Sequence, residues 1–101
     1  MTACGAVVGG VSLDGVDVSK QAVIQGEVTV GDLETPASVG YIRLLDAQGE
    51  FVAEVPISPE GQFRFFATTG IWTVVALIPG GSARLEVNGK VGEILDLVIQ
   101  I

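Results

Sequence analysis

The chain has 101 residues, enough for one domain with one core, and 49% are hydrophobic, which excludes disorder over most of its length. Twelve Asp and Glu against five Lys and Arg give a net charge of −7, so nucleic acid and anionic membrane surfaces are not expected as partners. Histidine is absent, which removes Ser-His-Asp and Cys-His nucleophile systems and leaves one Cys plus carboxylates for any zinc site.

Residues 1–20 carry four glycines and two aspartates without a sustained period, and are expected to form a flexible amino-terminal tail. Cys4, in this tail, is the single cysteine, so no internal disulfide can form. A small disulfide-free domain fits a reducing compartment, and a cytoplasmic location is expected. The amino terminus lacks a basic n-region and a long apolar h-region, so no secretory signal is expected. No segment has the run of about 18 apolar residues that a transmembrane helix needs.

The domain proper is expected over 21–101. Ala22–Val30 reads as a strand, with Ile24, Gly26, Val28 and Val30 on one face and Gln25, Glu27 and Thr29 on the other. The loop 31–37 leads to a second strand over 38–45, where Gly40, Ile42 and Leu44 alternate with Tyr41 and Arg43. Asp46-Ala-Gln-Gly49 has the composition of a tight turn. The third strand, 51–57, points Phe51, Ala53, Val55 and Ile57 inward, and Pro56 marks it as an edge strand. Ser58-Pro-Glu-Gly61 fits a type I turn.

The fourth strand, 62–66, buries Phe63 and Phe65 and exposes Arg64. The fifth, 71–77, buries Trp72, Val74 and Ala76. Pro79-Gly-Gly81 breaks the chain before a sixth strand over 83–87. Asn88-Gly89 is the strongest hairpin signal, favouring a type I′ turn. The seventh strand, 93–101, alternates Leu95, Leu97, Ile99 and Ile101 with Asp96 and Gln100. Seven period-two strands within about 80 residues predict a seven-stranded antiparallel β-sandwich. There is no helix-period segment, internal repeat or second domain.

Two resemblances arise from these strands. Ile24-x-Gly26-x-Val28, Gly40-x-Ile42-x-Leu44, Gly61-x-Phe63-x-Phe65 and Gly70-x-Trp72-x-Val74 resemble the transthyretin-like (prealbumin-like) or carboxypeptidase-regulatory-like sandwich. The stretch Tyr41-Ile-Arg-Leu-Leu-Asp-Ala-Gln-Gly-Glu-Phe-Val-Ala-Glu-Val55 is similar to the actinobacterial SseC-like proteins, a family of unknown function. So are 61–67, Gly70-Ile-Trp-Thr73, Ala76-Leu77, the run Val16-Asp-Val-Ser-Lys20 and the amino-terminal Cys-Gly. This second resemblance spans nearly the whole chain. Such proteins are typically encoded beside a rhodanese-type thiosulfate sulfurtransferase. The resemblance therefore implies a link to sulfur metabolism, and it singles out Cys4.

A cysteine thiolate accepts sulfane sulfur reversibly as a persulfide, and a tail could carry it between partners. The first cation in the chain is Lys20, so no close sequence neighbour activates Cys4. The alternative is a tail cysteine without a role. Asp46, Glu50 and Glu54 surround one hairpin near Arg43. They read either as an acidic partner site or as members of cross-strand ion pairs, with Arg43 or Arg64 against Glu54. Neither Asp14-Gly-Val-Asp17 nor 46–50 has the ligand density of a calcium loop. Gly9-Gly10 and Gly80-Gly81 precede no helix, so no phosphate loop is expected.

Val52, Phe66, Ile71, Val75, Leu77 and Val98 alternate with the core positions and are expected on outer faces. A contiguous patch of them would mark an interface for a second copy or a partner, and scattered ones would not. The expectation is thus a non-catalytic accessory protein without metal or cofactor, binding a sulfurtransferase and carrying sulfur on Cys4. The alternative is a structural or oligomeric interaction domain with no sulfur role. An enzyme ranks last, because no acid–base pair can be assembled.

Overall fold

Strand-forming residues with period-two alternation run from Ala22 onward, and strands form there in the computed structural model, which describes residues 5–8, 20–32 and 35–101. In chain order the strands are β1 (Gly5–Val8), β2 (Ala22–Val30), β3 (Thr35–Pro36), β4 (Tyr41–Leu45) and β5 (Phe51–Pro56). They continue with β6 (Gln62–Ala67), β7 (Gly70–Ile78), β8 (Gly81–Gly89) and β9 (Ile94–Gln100). All seven expected strands are present, and β1 and the two-residue β3 bring the described total to nine. Most of the tail expected over 1–20, Cys4 included, lies outside the described residues. Within that stretch Gly5–Val8 is a strand paired antiparallel with β6.

The strands form two sheets. In the five-stranded sheet, β6 lies between β1 and β2, and β9 lies on the other side of β2. The short β3 takes over from β6 at the end of β2, opposite Thr29 and Val30. The four-stranded sheet has the order β5-β4-β7-β8, antiparallel throughout. β5 is an edge strand, as Pro56 predicts. No helix among the described residues is long and apolar enough to cross a membrane.

Two expectations are corrected here. The sandwich is not wholly antiparallel: β9 runs parallel to β2 from Val23/Ile94 to Thr29/Gln100. The cause is the failure of the Asn88-Gly89 hairpin. Both residues belong to β8, paired with Ile71 and Gly70. The chain turns later, at Lys90–Glu93, where the Glu93 amide donates to the Lys90 carbonyl at 2.9 Å. Gly92 adopts φ +91° there, a conformation that favours glycine. The chain then crosses to the other sheet instead of folding back on β8. Two other turns match their composition. Gly49 donates to the Asp46 carbonyl at 2.9 Å and Gly61 to the Ser58 carbonyl at 2.8 Å.

The inward positions meet between the sheets. Ile24, Val28, Ile42, Leu44, Phe63, Phe65, Val74 and Ala76 are essentially inaccessible there. The rings of Phe63 and Phe65 lie 6.1 Å apart at 55°, a tilted aromatic pair. Burying a side chain of this size contributes about 1.5–3 kcal/mol, and this double layer is the main apolar burial between the two sheets.

Candidate functional site

Because Ile42, Leu44, Val74 and Ala76 point into the core, their neighbours on β4 and β7 point out. Pairing sorts the outward residues of the four-stranded sheet into rows across it. One row is Pro56, Tyr41, Leu77 and Ser82. The next is Glu54, Arg43, Val75 and Arg84. The third is Phe51, Leu45, Thr73 and Glu86, and Ile71 beside Asn88 closes the face. Large apolar side chains stand in water here: Tyr41 is 52% exposed, Phe51 62%, Val52 46% and Ile71 41%.

The charges on this face are few and balanced. Arg43 Nε donates to Glu54 Oε2 at 2.6 Å, across directly paired positions. This is one of the two ion pairs that the sequence offers for Glu54. Arg84 is exposed and makes no ion pair among the described residues. Two arginines and two glutamates leave the outward strand positions neutral, on a chain of net charge −7. A groove of about 440 Å³ runs between Arg43 and Arg84, bordered by Leu45, Val75 and Ser82.

Of the expected interface residues, Val52, Ile71, Val75 and Leu77 come together on this face. Phe66 and Val98 do not. They lie on the outer face of the five-stranded sheet, on the opposite side of the sandwich. Val98 is 64% exposed, but Phe66 is half-buried beside Val23, which is fully buried. The set is therefore split between the two outer faces, because alternation gives the parity of each strand but not which sheet holds it. Tyr41, Leu45 and Phe51 belong to the face and were not among the expected residues. Tyr41 alternates with Ile42, so its outward parity was readable; that of Phe51 was not.

The opposite face carries a polar row. Arg64, Gln25 and Asp96 are paired in register on β6, β2 and β9. Arg64 Nε donates to Gln25 Oε1 at 2.8 Å, and Gln25 Nε2 donates to Asp96 Oδ1 at 3.1 Å. Arg64, expected exposed, is 7% exposed; it sits on an interior strand between β1 and β2. Glu27, Gln62 and Val98 border the same concavity, of about 390 Å³. Both ends of the Gln25 amide are engaged, so the row links three strands. No three metal-ligating side chains converge among the described residues.

Residues 4–101 match the family described as "Protein of unknown function (DUF1416)". An uncharacterized protein of Mycolicibacterium smegmatis is 45% identical over 73 residues, covering 72% of this chain and 80% of the relative. Uncharacterized proteins Rv0814c and Rv3118 of Mycobacterium tuberculosis are each 40% identical over 86 residues, covering 85% of both chains.

Proposed function

The chain belongs to DUF1416, an actinobacterial family of proteins of unknown function, and from that premise we propose that it is a non-catalytic protein-interaction domain. It docks through the outer face of its four-stranded sheet. One observation carries this reading: the exposed Tyr41, Phe51, Val52 and Ile71 share one outer face, and the half-buried Leu45, Val75 and Leu77 link them across it. Scattered exposed apolar residues are ordinary, whereas a continuous apolar group on one face is the pattern of a docking surface. The test is the native mass of the protein in an extract of its own cells kept at cellular concentration. Wild type is expected above the monomer mass, and Val75→Glu is expected as a folded monomer. A monomeric wild type in the extract contradicts the proposal.

A second reading adds sulfur carriage on Cys4, delivered by a rhodanese-type sulfurtransferase. It is supported by the resemblance to SseC-like proteins, which singles out Cys4. The thiol attacks the sulfurtransferase persulfide, takes its outer sulfur and releases the enzyme thiolate. Intact mass after incubation with such an enzyme and thiosulfate tests it. One added sulfur on wild type, removable by a reducing thiol and missing in Cys4→Ser, is the expected result. No added mass beside an active sulfurtransferase contradicts it.

A further inference from the structure

We infer that the occupant of this face is a second copy of the same chain, packed face to face about a two-fold axis that runs along the strands between β4 and β7. The inference rests on the reading of this face as a docking surface. The arrangement of residues in the rows points to it.

The face has four strands in the order β5-β4-β7-β8. Rotation about an axis along the strands, midway across the sheet, turns the face over without moving residues out of their rows. β5 then lies on β8 of the second copy, and β4 lies on β7. The two sheets pack with their strands aligned, a common arrangement for stacked sheets.

This operation places opposite charges together. Glu54 and Arg84 occupy the two ends of one row. Each Glu54 therefore meets Arg84 of the second copy, twice by symmetry. Arg43 engages only Oε2 of Glu54, and the carboxylate retains acceptor sites for a second donor. Arg84, exposed and without an ion pair among the described residues, gains a carboxylate there. In the same operation Tyr41 covers Leu77, Arg43 covers Val75 and Leu45 covers Thr73. An axis across the strands through this row would instead set Glu54 against Glu54 and Arg84 against Arg84.

Net charge points the same way. Two copies of −7 repel each other over most approaches. On this face the outward strand positions are neutral, so that repulsion is least. Four strands about 4.8 Å apart over about 25 Å offer roughly 500 Å² per copy. The pair then buries on the order of 1,000 Å², the small end of specific interfaces. The dimer therefore dissociates on dilution.

The experiment is sedimentation velocity on the purified full chain over a dilution series. Wild type is expected to pass from dimer to monomer as it is diluted. Glu54→Arg creates two Arg–Arg contacts in the dimer, and Arg84→Glu creates two Glu–Glu contacts. Each variant alone is expected to self-associate at least about tenfold more weakly. Their equimolar mixture restores both contacts as Arg–Glu pairs, and is expected to associate as wild type does. Circular dichroism on the same samples checks that each variant is folded.

Three results overturn the inference: wild type monomeric at every concentration, either variant associating as wild type does, or a mixture no tighter than its components. If the purified chain is monomeric while the cell extract holds it in a larger, Val75-dependent assembly, the inference fails and the docking reading stands. If it is monomeric in both, both fail.

Discussion

Leu45 and Phe51 lie opposite each other across β4 and β5, on the outer surface of the four-stranded sheet. Strict alternation over 51–57 would send Phe51 inward with Ala53 and Val55, yet it is 62% exposed. A register shift between Leu44 and Leu45 explains this. Leu44 pairs with Ala53 and Leu45 with Phe51, leaving Val52 as an extra residue. One extra residue reverses parity beyond it. The bulge thus moves a phenylalanine from the expected core to the rim of the docking face.

Gly26 is a point of close approach between β2 and β9. A Cβ built there collides with the carbonyl oxygen of Leu97, the residue paired with it. Gly26→Ala is expected to lower stability by about 1–3 kcal/mol, because the parallel pair must separate. Urea unfolding measures this as a lower midpoint with an unchanged slope. An unaltered midpoint would mean that the two strands part without cost.

Thr29 is 3% exposed, and its Oγ1 has no hydrogen-bond partner among the described residues. A buried hydroxyl without a partner destabilises the native state. Thr29→Val keeps the shape and removes the hydroxyl, so stability is expected to stay level or rise by up to about 1 kcal/mol. A thermal melt decides it. A clear loss of stability would mean that the hydroxyl is hydrogen-bonded.

Asp46 holds the β4–β5 turn, its Oδ1 accepting from the amides of Gln48 and Glu50, each at 2.9 Å. Asp46→Ala is expected to cost about 1–2 kcal/mol, and Asp46→Asn, which keeps an acceptor, less than half of that. Equal losses from the two variants, compared by chemical denaturation, would show that the charge matters rather than the geometry.

The Arg43–Glu54 pair is half-exposed on the arginine side and 33% exposed on the glutamate side. Glu54→Gln is accordingly expected to cost under about 1 kcal/mol of fold stability. A larger loss in the denaturant midpoint would make Glu54 a structural residue, and would weaken its use as a probe of association.

Strand identity was legible because the core positions of 22–30, 62–67 and 70–78 keep an uninterrupted period of two. The turns at Asp46–Gly49 and Ser58–Gly61 were legible from turn chemistry that acts locally. Whatever depends on distant pairing was not. Asn88-Gly89 carries a strong local hairpin preference, but β7 claims both residues as ladder partners, and tertiary pairing overrides it. Val98 and Val75 look alike in sequence, each an apolar residue at an outward position. They fall on opposite sides of the sandwich because β9 joins β2 and β7 joins β4. The buried Arg64 reads as a surface charge until β1 and β2 are seen on either side of β6.

The most direct test of the docking face is photo-crosslinking in the cells that make the protein. Tyr41 is replaced by a benzophenone-bearing phenylalanine analogue, and Val98 on the opposite face by the same residue. The account predicts a crosslinked species of higher mass from position 41 and none from position 98. Crosslinking from position 98 alone, or from neither, contradicts it.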